Sequence, residues 1–284
     1  NTITTEKNVL WYAITGNGIG GFNVFSTINF SDCRDGTVEH SFWILIMIYK
    51  RIAIIPARGG SKSIKKKNIV PINGIPLVGY TIKEALKSKL ITHLCLSTDN
   101  EEIASIAKKY KCPHLVMRDY SLANDLAKTF PVVLDALEKM EKSQNIIYDL
   151  VILLQPTSPF QYTSDIDNSI KKIINEKQAT SLQVVSENNQ TPLKALQIYN
   201  KKFIKPYFLK GSNNVLNRQK LKKSYYRSNI IISKTENILK NKSQIGKKSL
   251  FYIIPSLRSI DINDKYDLEI AKLINQKFKL LKND

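Results

Sequence analysis

The sequence predicts an α/β domain, a mostly parallel sheet covered by helices on both faces. Three observations predict it. Apolar runs of strand length, many of them β-branched, recur from residue 50 onward, as in Ile52–Ile55 and Leu150–Leu154. Segments whose apolar residues repeat at helical spacing alternate with these runs. The loops that follow strands carry the glycines, prolines and cations suited to ligand chemistry, and ligands of open α/β sheets bind beyond the carboxyl ends of the strands. Such alternation implies parallel strands joined by covering helices.

Taken in order, Ile52–Ile55 has the length and branching of a buried strand. Pro76–Lys87 reads as a helix with Ile82 and Leu86 on one face, and Thr92–Ser97 as a strand. Asn100 can cap a helix carrying Ile103, Ile106, Ala107 and Tyr110. His114–Met117 is a short strand, and Thr129–Lys142 is a helix through Val133, Leu137 and Met140. After the strand Leu150–Leu154, the helix Thr163–Glu176 groups Ile166, Ile170, Ile173 and Ile174, and Thr180–Val185 is a strand. Residues 188–228 break the rhythm with Pro192, Pro206, Gly211 and many lysines. An excursion of that length is usually functional, a lid or a subunit contact. Ile230–Ser233 and Phe251–Ile254 return to strand, and Lys265–Lys282 is a closing helix with Ile270, Ile274, Phe278 and Leu281 on one face.

Bulk properties fit this reading. With 284 residues, 43% hydrophobic and 24% charged, the chain can form a sizeable core. No apolar run reaches the roughly 18 residues of a membrane span; the nearest, Phe42–Ile48, is far shorter. Cys33, Cys95 and Cys112 make no disulfide framework, so a reducing cytoplasm is the expected setting. The net charge of +19 would ordinarily suggest nucleic acid. Its lysines are spread over the chain, without an arm of interleaved aromatics. A general attraction for polyanions is expected instead, with no nucleic-acid or membrane partner.

The first 46 residues differ from the rest. They hold two basic and four acidic residues and both tryptophans, Trp11 and Trp43. They are expected to be foreign to a domain spanning 47–284, as read-through or a fusion. Gly16-Asn17-Gly18-Ile19-Gly20-Gly21 fits a dinucleotide fingerprint, but no helical period follows and Asp35 comes too early. His93-x-Cys95 and Cys112-x-His114 could be imagined as a zinc site; their spacing is unlike structural zinc sites, and buried free thiols are the usual outcome.

The most informative stretch is residues 52–68. After the apolar run, Arg58 precedes a turn of Gly59, Gly60 and Ser61, then Lys62, Lys65, Lys66 and Lys67. Glycines let the backbone approach a ligand, and successive N–H groups in such a turn form an anion nest. The cations match a polyphosphate. The reading is a cradle for a nucleoside triphosphate; the alternative is a solvated basic loop. Gly-x-x-x-x-Gly-Lys-Ser/Thr is absent, which argues against a P-loop.

The segment resembles the start of the acylneuraminate cytidylyltransferases, or CMP-sialic acid synthetases, which open with a strand, Ala-Arg-x-x-Ser-Lys and then Lys-Asn. Ala57, Arg58, Ser61, Lys62, Lys67 and Asn68 match, with Lys65 where the family often has Pro. The resemblance implies a Rossmann-like nucleotidyltransferase fold. It places Arg58, Gly59, Gly60, Ser61 and Asn68 against the nucleotide, with Arg58, Lys62 and Lys67 balancing phosphate charge. Arg118 and the following Ser121–Thr129 resemble the family's cytosine-reading Arg-Pro-x-x-Leu-Ala-x-Asp segment, which implies base contacts by Arg118, the backbone near Ala127 and the Thr129 hydroxyl. As plain structure, this stretch is a helix N-terminus capped by Asp125. Leu154-Gln155-Pro156-Thr157-Ser158-Pro159 is similar to one of the family's most specific markers, with Phe160 and Gln161 departing in part. It implies sugar contacts by Gln155, Thr157 and Ser158.

Further matches are partial. Pro192-Leu193-Lys194 resembles a segment whose lysine approaches the sugar. Arg218, Arg227 and Asn229 resemble an Arg-Gln…Arg-x-Asn-Gly-Ala-Ile-Tyr block, with Ile230 for Gly and Ser233 for Tyr. A sugar carboxylate suits arginine, which binds it bidentately. The family usually has Asp-x-Asp holding Mg²⁺; here the pair is Asp261 and Asn263, which share a face if the segment is a strand. Asp264 then points elsewhere, and an Asp/Asn cap on the last helix is the alternative.

The resemblance implies an enzyme using Mg²⁺ to transfer CMP from CTP to the 2-hydroxyl of a nine-carbon α-keto acid sugar such as N-acetylneuraminate, legionaminate or pseudaminate. It also implies a homodimer through part of 188–228. The rival readings are a 3-deoxy-manno-octulosonate cytidylyltransferase, a non-catalytic basic nucleotide or RNA binder, and an enzyme decayed at Asn263 and Ser233.

Overall fold

Three short strands, Thr2–Glu6 (β1), Val9–Ala13 (β2) and Phe25–Asn29 (β3), pair antiparallel in the order β1-β2-β3, with Thr2 opposite Ala13 and Val9 opposite Asn29. They belong to the first of two compact units, residues 1–48; the second is 49–284. The computed structural model describes residues 2–6, 9–13, 25–29, 49–123, 129–188, 191–208 and 223–281. The glycine cluster at 16–21 and Asp35 lie outside them, as do Asp125, Ala127 and Arg218.

In the second unit, the apolar run after Lys50 becomes the interior strand Arg51–Pro56 (β4), whose Ile52, Ala53, Ile54 and Ile55 are all fully buried. A two-stranded turn at Pro71–Ile72 (β5) and Ile75–Pro76 (β6) leads into helix Leu77–Lys87 (α1). His93–Thr98 (β7) follows, then Glu101–Lys109 (α2), with the Asn100 side-chain Oδ1 accepting from the Ile103 N–H as the expected cap. His114–Met117 (β8), Thr129–Gln144 (α3), Leu150–Leu154 (β9) and Thr163–Asn175 (α4) complete the alternation. Ser181–Glu187 (β10) precedes the excursion, which holds a hairpin of Leu196–Tyr199 (β11) and Phe203–Pro206 (β12). Tyr225–Lys234 (β13), the short helix Thr235–Asn241 (α5), Ser249–Ile254 (β14) and Lys265–Leu281 (α6) close the chain.

Seven strands form one sheet in the order β14-β10-β13-β9-β4-β7-β8. β9, β4, β7 and β8 run parallel, and so do β10 and β14. β13 alone runs against its neighbours β9 and β10. It is also longer than its apolar stretch: Tyr225, Tyr226 and Arg227 are exposed, and only the second half carries the buried signal. This reversal brings the start of β13 to the edge where the parallel strands end.

Two apolar clusters hold the layers. One packs β4, β7 and β9 against Val133, Leu137 and Met140 of α3. The other gathers Ile64 of the glycine-lysine loop, Ile72, Leu77, Phe160, Ile262 and Leu268. A buried side chain of this size contributes roughly 1.5–3 kcal/mol. The second cluster therefore fastens the loop after β4 to residues almost 200 positions later.

The expected strand at 261–263 does not form. A 3-10 turn at Ser256–Ser259 precedes an unpaired stretch, because that stretch bonds sideways to the loop after β4 instead of joining the sheet. Asp264 is the cap: its carboxylate accepts from the Tyr266 and Asp267 N–H groups.

Candidate functional site

The parallel strands β4, β7, β8 and β9 all end at one edge, and a cavity of about 490 Å³ opens there. Its wall is Pro56, Arg58, Gly60, Ser61, Lys62, Ser63, Lys67 and Asn68 from the first loop. Arg118, Leu122, Thr129 and Val132 come from the β8–α3 region, and Gln155, Pro156 and Thr157 from the loop after β9. The size is that of a small-molecule site. Apolar Leu122 and Val132 face four cations, Arg58, Lys62, Lys67 and Arg118, across one space. Sequence reasoning passed over Ser63, Leu122 and Val132.

The first loop is fastened by its own main chain and by distant carbonyls. The Asn68 amide donates to the Arg58 carbonyl at 2.8 Å, drawing the two ends of the loop together. Lys67 Nζ donates to the Ile262 carbonyl at 2.9 Å, and Ser63 Oγ to the Asn263 carbonyl at 2.5 Å. Burial holds the Lys67 ammonium below its usual range, opposed by the charge of Asp261. The Gly59 N–H donates to Asp99 Oδ1 at 2.9 Å. That corrects one expectation: Gly59 keeps its donor inside the protein, and Gly60 and Ser61 are the turn residues that face the cavity. A Cβ on Gly59 would lie 2.8 Å from the Asn100 side chain, while one on Gly60 would meet nothing within 4 Å. Gly59 is thus required by close packing, not by its backbone angles.

Arg118 is 8% exposed. Its N–H donates to the Thr98 carbonyl and its Nη2 to the Ser97 carbonyl at 2.7 Å. Its Nε is buried with no partner in the protein. Burial lowers its pKa, with Asp99 the largest opposing charge. Its Nη1 lies 3.5 Å from the Leu122 carbonyl, so the guanidinium is held between the end of β7 and the turn after β8.

On the other side, the loop after β9 meets the start of β13. The Gln155 N–H donates to the Asn229 carbonyl. The Asn229 amide nitrogen lies 3.1 Å from Thr157 Oγ1, 2.7 Å from Ser158 Oγ and 2.7 Å from Asp261 Oδ1. The Ile262 N–H donates to the Thr157 carbonyl. Ser158 is fully buried, so it and Asn229 brace the floor of the site. Asp261 stands at the centre of this node. Asn263 Nδ2 donates to Asp261 Oδ2 at 3.1 Å, so its amide steadies the carboxylate where the expectation made it a metal ligand. Lys194 and Arg227 are exposed and do not line the cavity: Lys194 leads into the hairpin of β11 and β12, and Arg227 lies in the exposed first half of β13.

Among the described residues no group of three or more His, Cys, Asp or Glu is placed to hold a metal. Cys95 and Cys112 are buried free thiols; burial raises both pKa values, that of Cys112 to about 11. No described helix is long and apolar enough to cross a membrane.

A nucleotide-sized cavity at the carboxyl edge of such a sheet, walled by cations, defines a nucleotidyltransferase-like α/β site. A family profile described as Cytidylyltransferase matches residues 52–253, and the chain belongs to that family. It is 30% identical over 234 residues to the post-translational flagellin modification protein B of Campylobacter coli, covering 82% of this chain and 98% of that protein. It is 30% identical over 224 residues to the CMP-N,N'-diacetyllegionaminic acid synthase of Campylobacter jejuni, covering 78% and 94%. It is 32% identical over 226 residues to the pseudaminic acid cytidylyltransferase of the same species, covering 79% and 96%. A solved structure of CMP:2-keto-3-deoxy-manno-octonic acid synthetase complexed with CTP shares the fold, with a TM-score of 0.59, 13% identity and coverage of 80% and 99%.

Proposed function

We propose that the chain transfers CMP from CTP to the 2-hydroxyl of a nine-carbon α-keto acid sugar of the legionaminate, pseudaminate or neuraminate type. The hydroxyl oxygen bonds to the α-phosphorus and gives up its proton to solvent, the bond from the α-phosphorus to the oxygen bridging to the β-phosphate breaks, and pyrophosphate leaves with that electron pair. The observation that carries this reading is the cavity itself. Arg58, Lys62 and Lys67 line it together with Gly60 and Ser61, and Leu122 and Val132 contribute apolar wall to the same space. The names of the relatives at 30–32% identity support the sugar class and disfavour an octulosonate substrate.

In this reading Arg58, Lys62 and Lys67 neutralise the triphosphate and hold it in line, and positioning with charge compensation carries most of the rate. Arg118 and Thr129 meet the base. Gln155 and Thr157 face the sugar, while Ser158 and Asn229 support them from below. Asp261 would hold Mg²⁺, and the donor set fits: Mg²⁺ is commonly bound through one or two carboxylates plus substrate phosphates. Bound there, the ion would supply Lewis-acid polarisation of a phosphate oxygen. We place the enzyme in the cytoplasm.

The excursion supports a homodimer. Leu196, Ile198, Phe203 and Ile204 are 57%, 74%, 50% and 65% exposed, and apolar side chains exposed together on one hairpin suit an interface with a second copy. Lys194 and Arg227 would reach a sugar only across such an interface. A coupled pyrophosphate-release assay with CTP and each of the three sugars tests the function. Release with at least one of them is expected. No release with any, together with no heat of CTP binding under Mg²⁺, would overturn it.

A further inference from the structure

Asp99 matches no motif and does not line the cavity, yet it bonds to the first loop and its charge acts on Arg118. It follows β7, and its Oδ1 accepts from the Gly59 N–H at 2.9 Å. Its charge faces the buried guanidinium of Arg118. The carbonyls just before it complete the arrangement: Ser97 accepts from the Ala57 N–H and from Arg118 Nη2, and Thr98 accepts from the Arg118 N–H. Just after it, Asn100 fills the space that a Cβ at residue 59 would need. Asn100 also caps α2.

Four consecutive residues, 97–100, therefore fix the first loop on one side and Arg118 on the other. Only Asp99 does so with a charge. We infer that Asp99 is a positioning residue for nucleotide binding: it ties the turn at Gly59 to Arg118, so that the phosphate-facing and base-facing walls keep one fixed separation. An acceptor on the Gly59 N–H also prevents the turn from rotating that donor into the cavity, leaving Gly60 and Ser61 as the ligand-facing residues. Losing the acceptor frees a half-buried N–H and loosens the loop at its hinge. The effect falls on affinity for the nucleotide and little on the chemical step.

The inference rests on CTP being the nucleotide, and the test separates the two. Asp99→Ala and Asp99→Asn are compared with the unaltered protein by steady-state kinetics. Hydrogen exchange of the peptide spanning Ala57–Gly60 is followed in the same proteins without ligand. Asparagine keeps an oxygen acceptor for the Gly59 N–H; alanine does not. With Asp99→Ala, the expected result is a rise of about tenfold in KM for CTP with kcat changed by less than about threefold, the loss of one hydrogen bond's worth of uniform binding. Exchange at Gly59 should accelerate. With Asp99→Asn, exchange should stay protected and KM should lie between the other two, because the hydrogen bond is kept while the charge acting on Arg118 is lost. If Asp99→Ala folds poorly, Asp99→Asn decides alone: protected exchange with a partial rise in KM supports the role, and a KM equal to that of the unaltered protein overturns it. Unchanged exchange and KM in Asp99→Ala, or an Asp99→Asn variant as impaired as the alanine, would overturn it. If the unaltered protein shows no turnover with CTP while Asp99→Ala still exposes Gly59, the substrate reading fails and the anchor stands.

Discussion

The loop between β4 and α1 and the hairpin of β11 and β12 are both lysine-rich departures from one sheet, and they are built in opposite ways. The loop buries Ile64 and Asn68, sends Ser63 and Lys67 to the carbonyls of Asn263 and Ile262, and gives its Gly59 N–H to Asp99. Among the described residues the strands of the hairpin pair only with each other, and its apolar side chains stand in the open, with Lys205 lying over the Tyr199 ring. The same residue type serves two ends. Where the backbone is pinned from several sides, cations can be aimed at a ligand. Where it is not, the stems and rings of the hairpin offer surface to another molecule. Charge alone does not distinguish the two; the fate of the neighbouring main-chain groups does.

The strongest way to break this contrast is to remove one charge from each region. Arg58→Ala should lower kcat/KM by roughly 10²- to 10³-fold, the scale seen when an aimed electrostatic group is lost. Lys205→Ala, an exposed cation in the hairpin, should change it by less than about threefold. Equal losses would show that the hairpin is part of the catalytic apparatus. A second experiment sharpens the role of the pinned backbone. Gly59→Ala must push on Asn100 and should cost roughly 1–3 kcal/mol in denaturant unfolding. Gly60→Ala has open space and should stay within about 0.5 kcal/mol. A reversal of that order would contradict the packing described above. Third, Ile198→Ser with Ile204→Ser should shift sedimentation from dimer to monomer while leaving secondary structure unchanged, since both side chains are largely exposed within the chain. A monomeric unaltered protein would remove the premise.

The smallest effect lies apart from both regions. His93 opens β7, with its ring against those of His114 and Tyr148. Burial, then the nearby His114 and Lys50, lowers its pKa below the ordinary 6.5. The unfolded chain therefore binds a proton more readily than the folded one. Stability is full above about pH 6.5 and falls as the pH drops from there through the lowered folded value. Midpoint temperatures between pH 7.5 and 5.5 should show a fall that is reduced in His93→Gln. An identical pH profile in that variant would exclude the histidine as its source.

Much of this was legible in the chain. The strand–helix alternation placed β4, β7, β8 and β9 within a residue or so, because each is a continuous apolar run between turn residues. The cavity wall was legible for Arg58, Lys62, Arg118, Gln155 and Thr157, since loops after parallel strands converge on one edge. What failed did so for reasons of long range. Alternation around Asp261 suggested a strand, but a segment bonded to a loop 200 residues earlier has no reason to join the sheet. The bonds of the Asn229 amide nitrogen to Ser158 and Asp261 carry no local pattern, since they join three separate segments. Asp99 carries no local pattern at all, since its role comes from residues 40 positions before it and 19 after.

The reversed direction of β13 has one more consequence. Ile230 is registered opposite Leu154, so the position of Asn229 is set by the sheet and not by the path that leads to it. Changing the length of the β11–β12 hairpin should therefore leave in place the amide that braces Asp261. The protein is in this sense a fixed bench with a replaceable attachment. Diversification toward new acceptors, in nature or by grafting, has an insertion point that leaves the phosphate-handling side untouched.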